Sequence, residues 1–341
     1  MPSFTSLFPK TSMPLDNIYR QQAALLIRTI PFVAPEECLA LKGGTALNLF
    51  VRDMPRLSVD IDLTYLPVAD RGSSLATIDA VLKAIARRIE AAFPQAHVNA
   101  ASPRNEAGIT KLAIRLGGVQ IKIEVTPVLR GCVYQPQNRT VTARVEEEFG
   151  FAEIQVVSLP DLFAGKLVAA LDRQHPRDLF DVRGLLASEG IDDHLRKAFI
   201  VYLLSHNRPF AEVLHPTRLD IAQEFERGFR RMTDEPVTAE ELMQAREDLI
   251  GDIVGCMPEN HRQFLLTVQR GRPEWQLLGV PGVQSLPAVK WRLENLARME
   301  KSKRDALAAT LAEVLKIADG RAVREPPWTY DGVRYRPRPE S

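Results

Sequence analysis

Apolar residues at Ile18, Ala23, Leu25, Leu26 and Ile30 recur at helical spacing and predict a helix over residues 15–29, stopped by Pro31. A second helix is expected over 35–41, a break at Gly43-Gly44, and a third helix over 45–50. Between Leu57 and Tyr65 the period shortens to two: Val59, Ile61 and Leu63 face one way, Asp60, Asp62 and Thr64 the other, as in a half-buried strand. An amphipathic helix over 74–93 ends at Pro94, and strands over 110–116 and 119–127 follow, with Gly117-Gly118 placed to close a hairpin between them. From Ser158 onward the pattern is helical, over 160–174, 176–188, 192–205, 219–230, 239–255, 258–270 and 287–318. The expected architecture is an α+β (α/β) unit with a small mixed sheet over residues 1–155, followed by an all-helical C-terminal domain over 156–341.

Composition narrows this picture only slightly. A chain of 341 residues exceeds one ordinary core, and 45% hydrophobic with 26% charged residues is the profile of a globular protein. The formal charge of +1 neither requires nor excludes a nucleic-acid partner, so any basic surface must be local. Cys38, Cys132 and Cys256 are too few and too scattered for a disulfide framework or a CxxC metal site. Prolines and charges interrupt the first twenty residues where an export signal needs an apolar run, and no stretch of 18 apolar residues occurs, so a cytoplasmic protein without a membrane span is expected. The histidines His97, His175, His194, His206, His215 and His261 form no HExxH pair, which argues against a zinc hydrolase.

The candidate chemistry lies on the strand at 57–65. Asp60 and Asp62 project from one face, about 7 Å apart along the chain, where they can share a hard divalent cation that also binds substrate phosphates. Two solvated acids on an exposed strand face are the plain alternative. Gly43-Gly44-Thr45 opens a helix upstream, and bare amides at a helix start suit phosphate oxygens, although a Gly-Gly turn can also serve packing alone. Glu124 lies on the strand Gln120–Thr126 with Lys122 and Thr126 on the same face; it is either a further metal ligand or a cross-strand partner of a lysine. Lys166 interrupts an apolar helix, either to neutralise polyphosphate or to reach solvent along its stem.

Taken in order, LKGGTAL, RLSVDIDLTY, IKIEV, the helix bearing Lys166 and RDLFDV resemble the AbiEii/AbiGii toxin family of nucleotidyltransferases, within the DNA polymerase β-like superfamily. The resemblance runs from about Leu41 to Val182, with looser likeness in RGRPEW and LPAVKW. It implies a polymerase β-like nucleotidyltransferase fold, Mg²⁺ or Mn²⁺ as cofactor and an NTP as substrate. The implied acceptor is an RNA 3′ hydroxyl, with tRNA foremost, and the implied partner is an antitoxin encoded nearby. Carried onto this chain, the resemblance implies metal binding at Asp60, Asp62 and Glu124, and nucleotide contacts from Gly43, Gly44, Thr45, Arg56, Ser58, Lys166 and Arg177. Asp178 is expected to cap the helix opened by Pro176, and Asp181 to orient Lys166 or the nucleotide. The family's superfamily places an aspartate where this chain has Glu124.

Lys290, Arg292, Arg298, Lys301, Lys303 and Arg304, together with a tail carrying Arg321, Arg324, Arg334, Arg336, Arg338, Trp328, Tyr330 and Tyr335, could grip RNA; interspersed acids such as Glu294, Glu300 and Asp305 fit a solvated face equally well. Rival functions are transfer to a protein or small-molecule hydroxyl, and a non-catalytic nucleotide-binding module.

Overall fold

The computed structural model of the chain describes residues 17–102, 108–316, 328–330 and 335–337. The stretch read for an export signal, residues 1–16, lies outside the described residues, as do Arg321, Arg324, Arg334 and Arg338 of the basic tail. In chain order the first half comprises α1 (Asn17–Val33), β1 (Leu39–Lys42), α2 (Gly43–Thr45) continued by a wide π-type turn over Ala46–Val51, β2 (Asp60–Tyr65), α3 (Arg71–Ala92), β3 (His97–Ala101), β4 (Lys111–Leu116), β5 (Val119–Arg130), β6 (Gln137–Thr140), α4 (Ala143–Phe149) and β7 (Glu153–Val156). The second half comprises α5 (Leu159–Asp172), α6 (Pro176–Ala187), α7 (Asp193–Leu204), α8 (Phe210–Leu214), α9 (Ala222–Glu224) with a π-type turn over Phe225–Phe229, α10 (Ala239–Ile250) with another over Gly251–Gly255, α11 (Glu259–Gln269), α12 (Trp275–Leu278), α13 (Pro287–Arg298) and α14 (Lys301–Lys316). A short antiparallel pair, β8 (Trp328–Tyr330) and β9 (Tyr335–Pro337), completes the described elements.

Seven strands form one mixed sheet in the order β3-β4-β5-β2-β1-β7-β6. The β2–β5 and β1–β7 pairs are parallel, and the other neighbours are antiparallel. Gly117-Gly118 closes the β4–β5 hairpin as the dipeptide predicts. A single cluster of buried apolar side chains runs from Ala23 through the sheet residues Leu41, Ile61 and Ile123 to Phe163, Phe199 and Phe264 in the helices, so the core crosses the expected boundary at 155–156.

Four elements depart from the periodicity. Residues 39–42 form the strand β1, not the end of a helix over 35–41: Leu39, Ala40 and Leu41 are buried between β2 and β7, and a strand covered on both faces reads as an unbroken apolar run. α1 passes through Pro31 instead of stopping before it. The bond Pro31 cannot donate to the Ile27 carbonyl is offset by Val33, which is fully buried, and by Phe32, which stacks edge-on against Phe93 at 5.5 Å. The expected helix over 287–318 breaks at Met299–Glu300 into α13 and α14, and that over 219–230 begins only at Ala222. β3, β6 and α4 escaped the sequence pattern because they are short and mostly exposed, so period-two or period-3.6 burial is barely imprinted on them.

Candidate active site

Strand register assembles the first part of the site. Lys111 on β4, Glu124 on β5, Asp62 on β2 and Lys42 on β1 are successive Cα partners and form one row across the sheet. Asp60 occupies the next row, opposite Lys122. Side chains at i and i+2 share a face, so both aspartates and Glu124 lie on one side of the sheet. Burial raises the Asp62 carboxyl above its ordinary pKa; Lys42 pulls it back, and Asp60 and Glu124 add like-charge repulsion. Burial likewise lowers the Lys42 ammonium below the usual lysine value, opposed by Asp62 and Glu124, and its Nζ donates to Thr126 Oγ1 at 2.8 Å. Glu124 instead turns sideways to Lys111, 2.7 Å away. Among the described residues no three His, Cys, Asp or Glu side chains come together as a metal-binding group. Asp60 and Asp62 are the pair that could hold a metal: their oxygens are hard and they repel one another, which a divalent cation would relieve.

The glycines are required by close approach. Gly43 has φ +74°, and a Cβ there would lie 2.8 Å from Asp62 Oδ2. A Cβ on Gly44 would lie 2.9 Å from Ser58 Oγ and 3.0 Å from Arg56 Nη2. The packing reading and the phosphate reading of this dipeptide are compatible: a Cβ at either position would press on Asp62, Ser58 or Arg56, and the bare backbone lines the cleft beside Asp62. Thr45 tightens the joint, its Oγ1 donating to the Asp60 carbonyl at 2.5 Å and lying 3.0 Å from Ser58 Oγ. Thr45 and Ser58 are buried, so their visible role is to fix β2 to α2.

A buried ion network forms the second part. Asp181 receives two bonds from Arg56, Nε to Oδ1 at 2.8 Å and Nη2 to Oδ2 at 2.6 Å, and lies 2.9 Å from Lys166 Nζ. Asn48 Nδ2 bridges Asp181 Oδ1 at 3.2 Å to the Gly44 carbonyl at 2.9 Å, tying the network to the glycine turn. Asp178 pairs with Lys166 at 3.1 Å and with Arg173 at 2.6 Å. Burial would raise both carboxyls, but Lys166 with Arg173 for Asp178, and Arg56 with Lys166 for Asp181, outweigh it and hold both below the ordinary carboxylate range. The expected capping role for Asp178 gives way to this pairing; the α6 N-terminus is capped by His175, whose Nδ1 accepts from the Arg177 amide. Lys166 is buried and does not reach along its stem to solvent. The Arg56 guanidinium, expected at nucleotide phosphate, is committed to Asp181 and, through Nη1, to the Leu57 carbonyl at 2.9 Å.

A cleft of about 340 Å³ opens where these parts meet, lined by Lys42, Gly43, Gly44, Asp62, Thr126, Lys166, Arg173 and Asp178, with Tyr202, Ser205 and His206 on its far wall. Of the residues singled out in the sequence, Gly43, Gly44, Asp62 and Lys166 line it; Asp60 and Glu124 flank Asp62, and Thr45, Arg56, Ser58 and Asp181 stand behind it as supports. Arg177 is half-buried and does not line the cleft. Lys42 and Arg173 are the cations the sequence reading missed. Lys42 had a signal, a lone charge ending the apolar run Leu39-Ala40-Leu41 directly before the glycines, whereas Arg173 at the end of α5 looks like any surface arginine. Among the described residues no helix is long and apolar enough to cross a membrane.

No curated protein sequence matches the chain. Among solved structures it is similar to MenT4, the nucleotidyltransferase toxin Rv2826c from Mycobacterium tuberculosis H37Rv, at 16% identity and a TM-score of 0.49, over 89% of this chain and 95% of that one. The sequence profile described as nucleotidyl transferase AbiEii toxin, type IV TA system, matches residues 24–295. A match over that much of the chain means that this protein belongs to the AbiEii family of nucleotidyltransferase toxins of type IV toxin–antitoxin systems.

Proposed function

We propose that the protein transfers a nucleoside monophosphate from an NTP to the 3′ hydroxyl of an RNA, with tRNA as the foremost acceptor, in the presence of Mg²⁺ or Mn²⁺, and that the modified RNA no longer supports translation. The observation that carries this reading is the convergence of Lys42, Lys166, Arg173 and the Gly43-Gly44 backbone with Asp62 around one cleft. Three cations and a glycine turn suit a polyphosphate, and a carboxylate pair beside them suits a cation bridging that polyphosphate to the protein. Lys42 and Arg173 would take the β- and γ-phosphates, Lys166 would add its charge from the cleft wall where Asp178 and Asp181 hold it, and the Gly43-Gly44 amides would hold the oxygens nearest the α-phosphorus. Asp60 and Asp62 would hold a divalent ion, which when bound would supply charge neutralisation and a lowered pKa for the attacking hydroxyl. The acceptor hydroxyl gives its proton to solvent, its oxygen forms the new P–O bond at the α-phosphorus, the bond to the β-phosphate oxygen breaks, and pyrophosphate leaves. Arg56, Asn48, Ser58 and Asp181 act as positioning residues, because their polar atoms are spent on holding Lys166 and the glycine turn in place. An antitoxin that opposes this activity is the expected cellular partner.

The test is transfer of α-labelled NTP, each base separately, to purified total tRNA, total protein and small metabolites. Labelled tRNA is expected, and Asp62→Asn should reduce transfer at least about a hundredfold, the scale for removing one preorganised charge from a site. Labelled protein with unlabelled tRNA would reassign the acceptor. Toxicity retained by both Asp62→Asn and Lys166→Ala would exclude catalysis as its cause.

A further inference from the structure

A second concavity, about 800 Å³, lies beside the cleft where the β2–α3 connection, the end of β5 and the start of α13 meet; it is lined by Val68, Arg71, Val128, Arg130, Lys290 and Trp291 among others. Gly131 is the pivot of this junction, with positions for a Cβ already taken by Leu286 Cδ2 at 2.7 Å and Val68 Cγ2 at 3.2 Å. We propose that this groove is a subsite for single-stranded nucleic acid, in which Trp291 stacks a base while Arg130 and Arg71 hold the adjacent phosphate. The proposal rests on the nucleotidyl-transfer reading of the neighbouring cleft.

Two independent observations carry it. Arg130 is only 6% exposed, yet its Nε and Nη1 are buried without a hydrogen-bond partner. A guanidinium so placed is costly unless an anion completes it. Burial lowers its pKa, and the like charge of Arg71 lowers it further against Asp70 and Tyr65, so a phosphate would relieve both penalties. The second observation is apolar. Val68, Val128 and Trp291 are about half exposed, and these three of the large exposed hydrophobic residues gather on one groove. A flat indole next to a cationic pocket is what a base and its phosphate require. The helix that carries the indole is also anchored. The neighbouring Arg292 reaches back to the end of α7, donating to the carbonyls of Leu204 at 3.2 Å, Arg208 at 2.8 Å and His206, which anchors α13 on the rim of the catalytic cleft.

Nucleic acid is favoured over an acidic peptide by the pairing of a flat indole with cations, and by the shared end of β5. Thr126 and Leu129 line the cleft, and Val128 and Arg130 line the groove, all on β5. Four residues of strand cover about 13 Å, or about four stacked nucleotides at about 3.4 Å each. Because Val128 and Arg130 alternate with Leu129, the groove and the cleft flank the end of β5 on its two faces, and a strand whose 3′ end enters the cleft would reach the groove by rounding that end. The charges agree, with Arg71, Arg130 and Lys290 against Asp70 and Glu294.

Fluorescence anisotropy of a labelled single-stranded oligoribonucleotide with the full chain tests this without catalysis. Trp291→Ala should weaken RNA binding about tenfold, leave NTP affinity unchanged and reduce the quenching of tryptophan emission by RNA. Arg130→Gln should flatten the log–log salt dependence by about 0.7, one phosphate contact of a single strand. The exposed Trp291 can be removed without unfolding, so the test stands even if Arg130→Gln fails to fold. Unchanged RNA affinity in Trp291→Ala overturns the proposal, as does quenching by an oligoglutamate peptide but not by RNA. Absence of nucleotidyl transfer to every acceptor by the wild-type protein would sink the catalytic reading alone, since the binding measurement does not depend on turnover.

Discussion

At the scale of single residues, the site depends on contacts with no slack. Gly43→Ala would put a methyl 2.8 Å from Asp62 Oδ2 at a φ of +74°. It should lose about 1–3 kcal/mol of stability and most of the transfer activity, read by denaturant unfolding alongside labelled-NTP turnover; a fully active, equally stable variant would remove the glycine turn from the argument. Arg56→Leu tests the buried network. Asp181 would be left with Lys166 as its remaining charged partner, and breaking a buried pair in this way costs about 3–5 kcal/mol. Equilibrium urea unfolding of the variant should show that loss even in the absence of nucleotide. If stability is unchanged and only the KM for NTP rises, Arg56 touches phosphate after all.

At the scale of an element, α11 carries an acid-sensitive point. His261 is fully buried, both ring nitrogens lack hydrogen-bond partners, and burial lowers its pKa to about 4 from an ordinary 6.5, against Asp193, which lies 3.7 Å away. Between those values the unfolded chain binds the proton that the folded protein refuses. Stability should therefore rise with pH from about 4 to about 6.5, by up to about 1.4 kcal/mol per pH unit, and fall away as the solution is acidified. His261→Leu should remove this component. Denaturation midpoints of the two proteins across that range check it, and parallel profiles would count against it. The basic face of α13 and α14 has a different use from the one its sequence invites. Arg292 and Arg304 bond backbone carbonyls, while Arg298 and Lys301 pair with Glu294 and Asp305 one turn along their own helices. Those charges serve the helices first, which leaves Lys290 as the cation of α13 on the groove, beside Trp291 and Glu294.

For the whole molecule, the apolar cluster that passes through sheet and helices makes the halves interdependent. Lys166, Arg173, Asp178 and Asp181 come from α5, α6 and the turn between them, yet they complete a site whose glycines, Asp62 and Arg56 belong to the first half. Unfolding followed by tryptophan fluorescence and by far-ultraviolet circular dichroism should give coincident transitions. A fragment of residues 1–155 should bind no NTP and should aggregate, because Arg56 would lose its buried partner and the core would be cut open. Two separated transitions, or an NTP-binding fragment, would show that the first half stands alone.

How much of this was legible in the chain follows from the range of the interactions involved. The alternation through Asp60, Ile61, Asp62 and Leu63 and the Gly-Gly break are local, and they put the acids on one face and the turn before them without reference to anything distant. The longer helices α5, α6, α7, α10 and α11 were legible for the same reason, through period 3.6, with prolines at the starts of α5 and α6, whereas the short α8 and α12 were not. Nothing local separates β1 from a helix, because its strand identity comes from β2 and β7 on either side. Nor does spacing tell Asp178 to meet Arg173, Glu124 to turn to Lys111, or Arg130 to be buried without a partner. The sequence by itself determined which residues share a face of each element. Tertiary structure decided which faces meet, because a buried charge takes its partner from whatever the packing of other elements brings within about 3 Å.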